Sequence, residues 1–235
     1  MTRSVARPAG HSGDMELYDV MRTTFAAREF TDDPLPDEVL ARILDNARFA
    51  PSGGNRQGAH IVVIRDPATK HRLSEFGEPT VRRYVAQKAA GENPWNPVHP
   101  TSVSADVIEN TAVPASFVEP IRTAPVVLAV AVDLTRVAAV DQDLDRVGVV
   151  SGGSVYPLIW NILLGARQEG FGGTITTMAV LEEDQVRELL GIPDTFALAA
   201  VVPLGRPVKQ LTRLRRQPVE EFVTRESFSG KGFGV

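Results

Sequence analysis

The run Pro125-Val126-Val127-Leu128-Ala129-Val130-Ala131-Val132 constrains the fold more than any other stretch, because it contains no polar side chain. An extended segment of that kind is a strand buried on both faces, so other elements have to cover both faces. Phe196 to Leu204 reads as a second buried strand. Cover is available in helices. Val155, Leu158, Ile159, Ile162, Leu163 and Ala166 make a wide apolar face at helical spacing, with Pro157 in the first turns or at a kink and Gly170 placed to end the helix. Asp37 is a cap for another helix, whose stripe is Leu40, Ile43, Leu44 and Ala47. The fold class expected is therefore α+β, a central mixed sheet flanked by helices.

Smaller signals complete the outline. Asp14 can cap a helix through Met21, with Leu17, Val20, Met21 and Thr24 on one face, and Thr31 to Pro36 is a rigid turn. The helix that starts at Asp37 must stop near Ala50, since the residue before Pro51 is pushed out of the helical region. His60 to Ile64 reads as a buried strand closed by Asp66-Pro67, and a helix follows over Ala68–Phe76. Residues 77–120 carry Pro79, Pro94, Pro97, Pro100, Pro114 and Pro120 with one clear helical piece near Thr80–Ala90, and read as an excursion of the lid type. Gly172 to Thr177 is a glycine-rich entry to a short strand, and Glu182–Leu190 is a helix ended by Gly191. One domain over 14–235 is expected, with a flexible polar arm at 1–13 and an extended tail over 206–235.

Composition removes several kinds of chemistry. The 235 residues include no cysteine, which excludes disulfides, thiolate nucleophiles, iron–sulfur clusters and cysteine zinc sites. His11, His60, His71 and His99 share no metal-ligand spacing, and no metal is expected. The net charge of -4 offers no attraction to nucleic acid or an anionic membrane. No apolar run reaches the roughly 18 residues of a membrane span, and the first residues lack the apolar core of a signal peptide; a soluble cytoplasmic protein is expected. The dinucleotide fingerprint has only a near match at Gly170-Phe171-Gly172, which follows a helix rather than a strand. No protein group looks sufficient for difficult chemistry, so catalytic residues are not assigned and a cofactor would carry the reaction.

The loop Pro51-Ser52-Gly53-Gly54-Asn55-Arg56-Gln57 is where such a cofactor can be met. It combines a fixed bend, glycines that let a ligand approach the backbone, and the polar side chains of Ser52, Asn55 and Gln57. The same residue types also make plain turns. Three further segments point the same way: Arg22 to Phe30, ending Arg28-Glu29-Phe30; Gly170-Phe171-Gly172-Gly173-Thr174 after the long helix; and Leu204-Gly205-Arg206-Pro207 followed by Arg213, Arg215 and Arg216.

Together, in this order from about Leu17 to Phe222, these segments closely resemble the nitroreductase family of FMN-dependent oxidoreductases, nearest to its actinobacterial members. The resemblance implies a homodimer whose tails wrap the partner, with FMN at the interface and the 51–57 loop reaching the FMN housed mainly by the other subunit. It implies ping-pong hydride transfer from NADPH or NADH through flavin N5 to a nitroaromatic or quinone acceptor. Dehalogenation, dehydrogenation or flavin destruction on the same fold, and a non-enzymatic flavin-binding protein, stand as alternatives. Cofactor contacts carried over are Arg22, Thr24, Arg28, Pro51, Ser52, Gly53, Asn55, Gln57, Gly172, Gly173, Arg213, Arg215 and Arg216, with Arg28 near N1 and O2. Trp95 is the candidate to stack on an acceptor; anchoring its loop is the other role open to it. The chain departs from the family where an early Arg and Ser are usual: Thr24, Phe25 and Ala26 occupy those positions. Phosphate binding would then lean on the tail, with Arg213 and Arg215 sharing a face of the extended chain and Arg216 on the other.

Overall fold

The computed structural model describes residues 15–234. The expected arm at 1–13 and the capping role of Asp14 lie outside the described residues. Two central strands, β2 (Val126–Asp133) and β4 (Phe196–Gly205), are flanked by β1 (Ala59–Ile64) and the short β3 (Gly172–Gly173), in the order β1-β2-β4-β3. All three pairings are antiparallel; parallel pairing enters through the bridge between Ala26 and Gly173, so the expected mixed sheet is antiparallel in its named strands.

The fully apolar run behaves as anticipated. Val126, Leu128, Val130 and Val132 face a layer formed by α2 (Asp37–Ala47) and α7 (Tyr156–Gln168), through Leu40, Ile43, Ile159, Ile162 and Ala166. Val127 and Ala129 face the opposite layer, where α3 (Pro67–Phe76), α6 (Ala115–Thr123) and α8 (Glu183–Leu190) bring Leu73, Phe76, Ile121 and Val186. Along β4 the alternation breaks. The pairing slips between Val130 and Ala131, so that Ala199 and Ala200 both turn toward the α2/α7 layer. An inserted residue of this kind is a β-bulge, and the Ala199 carbonyl there accepts the Tyr156 hydroxyl at 3.1 Å.

Three sequence expectations change. β1 is an edge strand rather than a buried one: Ile64 is buried, but His60 and Val63 are exposed. An apolar run specifies a strand; how deeply it is buried depends on its neighbours in the sheet. Asp37 is the first residue of α2 rather than its cap, which is Pro36, and its carboxylate pairs instead with Arg65 at 2.5 Å. Residues 77–120 hold three helices, α4 (Glu78–Ala89), α5 (Ala105–Glu109) and α6, and Val118 and Ile121 of α6 are core residues. Pro79 sits in the first turn of α4 and Pro114 caps α6, so prolines that read as loop signals start helices instead. On α1 (Leu17–Thr23), only half the expected stripe is covered: Val20 and Thr24 are buried, while Leu17 and Met21 are exposed. Pro157 lies in the first turn of α7, and Gly170 and Gly191 take the left-handed backbone that ends α7 and α8. Among the described residues no helix is long and apolar enough to cross a membrane.

Candidate functional site

The sequence-selected residues gather in two places. The first lies at the β3 end of the sheet. After α1 the chain runs extended, and Ala27 donates its N–H to the Gly173 carbonyl at 2.9 Å. The tail returns along the same segment: Thr31 donates to Arg206, Val208 donates to Glu29, and Gln210 Nε2 reaches the Thr23 carbonyl at 3.0 Å. Arg28, Gly172, Gly173 and the root of the tail are thereby brought together. The Arg28 guanidinium is exposed, and among the described residues its one hydrogen bond is to the Ala26 carbonyl at 3.3 Å. Arg213, Arg215 and Arg216 are exposed as well, Arg216 spending one N–H on the Arg215 carbonyl. Arg213 follows Gln210 by three residues, so it lies within about 10 Å of that anchor by chain reach.

Packing explains the two glycines. A Cβ on Gly173 would sit 2.4 Å from the Pro203 carbonyl oxygen and 2.6 Å from Leu204 Cδ2; on Gly172 it would meet Pro207 Cγ at 3.0 Å. The side-chain direction of each points into the protein, so whatever they offer a ligand comes from the backbone. Thr24 is taken up similarly. It is buried and its hydroxyl donates to the Val20 carbonyl at 2.7 Å, closing α1 rather than facing outward. Arg22 is exposed near the Tyr18 ring.

Arg167 was not singled out by sequence reading. From the last turn of α7 its Nε donates to Thr23 Oγ1 at 2.9 Å, and burial lowers its pKa. It adds a partly desolvated cation to the corner already holding Gln210 and the tail. The only sequence signal was a basic residue near a helix C-terminus, which is commonplace.

The second place is the loop after α2. Gly53–Asn55 form a single 3-10 turn, and Ser52 Oγ accepts the Gln57 N–H at 3.0 Å. Gln57 Nε2 donates to Asn55 Oδ1 at 3.2 Å, and Arg56 donates to the Val137 carbonyl. Gly53 fits tightly: its Cβ would lie 2.9 Å from that of Ala138. Pro51, Asn55 and Gln57 are exposed. The backbone here is unusual, with φ of +60° at Gly54, +53° at Asn55 and +49° at Gln57. Asn tolerates this region, but Gln does so at a cost. Among the described residues the other non-glycine positions of this kind are Trp95 and Glu226. Strained backbone of this sort concentrates at functional sites.

These two places are far apart in one protomer. Val126, at one end of β2, pairs with Leu204 next to β3, whereas Asp133, at the other end, bonds Gly58 beside the 51–57 loop. Seven steps of antiparallel strand span roughly 24 Å.

A third group lies on the excursion. Glu92 accepts from Thr101, from Ser102 through both N–H and hydroxyl, and from Gln87, and these hydrogen bonds, the largest from Thr101, lower its pKa to about 2. Gln87 in turn takes the Trp95 N–H at 3.1 Å, and the Arg83 guanidinium stacks 4.2 Å from the Trp95 ring centre. Trp95 therefore does anchor its loop, yet it keeps 37% of its surface exposed. The excursion packs on the turn that follows β3 in the chain, where Gly77 abuts Met178, whose Cβ lies 3.3 Å from the Cβ position of Gly77. Among the described residues no group of histidines and carboxylates could hold a metal ion.

A four-stranded antiparallel sheet between helical layers, with polar loops and arginines at its opposite ends, defines an α+β protein of the nitroreductase-like fold. The chain belongs to the nitroreductase family, whose pattern it matches over residues 21–206, and it is an oxidoreductase by that membership. It is 29% identical over 206 residues to an NADH dehydrogenase of Thermus thermophilus, covering 83% of this chain and 89% of that one. Among solved structures, an NADPH:FMN oxidoreductase from Vibrio harveyi complexed with NAD+ shares the fold with a TM-score of 0.64 at 20% identity, covering 91% of this chain and 78% of the other. Oxidized iodotyrosine deiodinase bound to FMN and 3-iodo-L-tyrosine does so with a TM-score of 0.65 at 20% identity, over 91% of this chain and all of that one, 100%.

Proposed function

We propose that the protein is a homodimeric, FMN-dependent NAD(P)H oxidoreductase acting on nitroaromatic or quinone acceptors. The observation that carries this reading is the separation of the two candidate groups to opposite ends of β2. Neither half alone offers a complete ligand site, and a second protomer can bring its 51–57 loop to the first protomer's arginine corner. Exposed Tyr156 and Trp160 on α7, with Leu17 and Met21 on α1, are apolar surface suited to an interface between protomers.

The donor set fits FMN. Arginines without an acidic partner among the described residues suit a phosphate dianion, amide and hydroxyl side chains suit a ribityl chain, and a cation near the ring's N1 and O2 suits the charge that builds there on reduction. When bound, FMN would supply the redox chemistry, coupling oxidation of NADPH or NADH to reduction of an acceptor. Arg213 and Arg215 would hold the phosphate, with Arg22, Arg167 and Arg216 nearby. Arg28 would stabilise the pyrimidine end. Ser52, Asn55 and Gln57 of the opposing protomer would orient the ribityl chain and ring. The backbone at Gly172 and Gly173 would border the ring edge, and the lid at 77–120 would exclude water and set acceptor choice. No side chain needs to move a proton in the hydride step; the protein aligns the two rings. A cytoplasmic location is part of this reading.

The likeness to a deiodinase favours one rival, reductive dehalogenation with the same cofactor. The experiment is direct. The purified protein should be yellow, release FMN on denaturation, scatter light at about twice the 25.5 kDa of one chain, and oxidise NADPH or NADH anaerobically when a nitroaromatic or quinone is added. A protein that binds no FMN would overturn the reading. Iodide release from 3-iodo-L-tyrosine without nitroaromatic turnover would replace it with the rival.

A further inference from the structure

Two of the four buried side-chain atoms left without a hydrogen bond among the described residues, Thr80 Oγ1 and Arg83 Nε, belong to one helix, α4. At positions i and i+3 they lie on one face of it. Thr80 is 7% exposed. Arg83 is half-buried and makes no hydrogen bond or ion pair with any described residue; its one contact of note is the Trp95 ring, 4.2 Å away. Other half-buried arginines have acidic or carbonyl partners: Arg82 pairs with Glu78 and Thr111, Arg122 with Glu78, Glu119 and Ser74, and Arg187, whose own Nε is also left over, with Glu183 and two carbonyls. The nearest acid along the loop, Glu92, is fully engaged by Thr101, Ser102 and Gln87. A cation with an orphaned, buried donor is costly to keep without an anion.

We propose that Thr80 and Arg83, beside Trp95, form an anion-holding subsite in the lid that favours planar ligands carrying a carboxylate or phosphate. The proposal rests on the FMN-oxidoreductase reading for its place beside the reacting rings. Arg83 is six residues along α4 from Gly77, so it lies roughly 9 Å up the helix from the contact with Met178. An aromatic ring on the exposed part of Trp95 would put a pendant oxyanion within reach of the guanidinium, which can take it in a fork while Thr80 donates a third hydrogen bond. Two sources supply such an oxyanion: an acceptor bearing a carboxylate, or the phosphates of the nicotinamide donor.

The test is calorimetric titration of the protein with 4-nitrobenzoate, its neutral methyl ester and NADP+, on the FMN-loaded and FMN-free forms. Wild type should bind 4-nitrobenzoate or NADP+ through Arg83, so that Arg83→Met weakens one of them by about ten- to a hundredfold, as loss of a charged hydrogen bond does, while the ester changes less than about twofold by the same reckoning. Loss confined to 4-nitrobenzoate assigns the acceptor; loss confined to NADP+ assigns the donor. Thr80→Val should cost less, and Arg83→Lys, which keeps the charge but loses the fork, should fall between wild type and Arg83→Met and serves if the latter does not fold. Unchanged affinity for both anions overturns the proposal, as does an equal loss for the ester. So does a dimer that dissociates in Arg83→Met while its anion affinities hold, since Arg83 would then pair with an acid of the second protomer. Absence of FMN with Arg83-dependent anion binding intact would fail the functional reading and leave the subsite standing.

Discussion

The Gly172–Gly173 strand and the 51–57 loop are both glycine-rich and both point to the same cofactor, yet they are built on opposite principles. At Gly173 glycine is demanded by neighbours: the Pro203 carbonyl and the Leu204 side chain occupy the space a Cβ would need, and the backbone is part of the sheet. In the loop the unusual conformation falls on side-chain-bearing residues, Asn55 and Gln57, that are exposed and touch mostly each other. The first glycine pair serves the fold, and in the proposed site only its backbone would meet the ligand. The second segment holds strained polar residues that no packing in its own protomer explains.

The sharpest way to break that contrast is Gly173→Ala. Its Cβ would press on backbone that cannot move without disturbing β4, so a loss of about 3 kcal/mol or failure to fold is expected, as for overpacking at a rigid site. Urea unfolding measures it, and near-wild-type stability would show the strand to be far more pliable than described. Next in size, Arg213→Ala and Arg215→Ala should each lower FMN affinity by roughly ten- to a hundredfold while leaving the stability of the FMN-free protein unchanged; Arg216→Ala should do less. Fluorescence titration decides, and if Arg167→Ala has the larger effect the phosphate lies deeper in the corner than the tail. Gln57→Gly should then separate strain from packing. Removing a left-handed non-glycine residue relieves on the order of 1 kcal/mol, largely offset by the freer unfolded chain, so stability should stay nearly level while FMN affinity falls. Lost stability with retained affinity would place this loop in the same class as Gly173.

The smallest effect concerns the 77–120 excursion. The Glu92 carboxylate is held at a pKa of about 2 by hydrogen bonds from Thr101, Ser102 and Gln87. A depressed carboxylate stabilises the fold above its unfolded value, near 4.5, and that contribution fades as pH falls from there toward 2. Hydrogen exchange of residues 92–103 should accordingly be independent of Glu92 ionisation between pH 5 and 8, apart from the intrinsic rate. Protection should decline below about pH 4.5, and Glu92→Gln should show the decline already at neutral pH. Equal protection in Glu92→Gln would mean that the loop is ordered by Trp95 and Arg83 instead.

The sequence by itself determined the elements whose cause is local or periodic. A short, valine-rich, all-apolar run opened by a proline reads as a covered strand, a 3.6-residue stripe picks out α2 and α7, and Gly170 and Gly191 mark helix ends because they accept a left-handed backbone. It also marked Asn55, Gln57 and Trp95 for the ligand chemistry of their side chains; their left-handed backbone emerged only in the structure. Tertiary structure alone decided what depends on distant partners. Whether β1 was central or an edge hung on strand order, and Pro79 and Pro114 opened helices because those helices had a core to join. Thr24 turned inward to close α1, and Gly172 and Gly173 proved to be packing glycines. The placing of the two candidate groups at opposite ends of β2 was likewise invisible in the chain, since strand pairing sets it and pairing couples residues as far apart in sequence as Gly58 and Asp133.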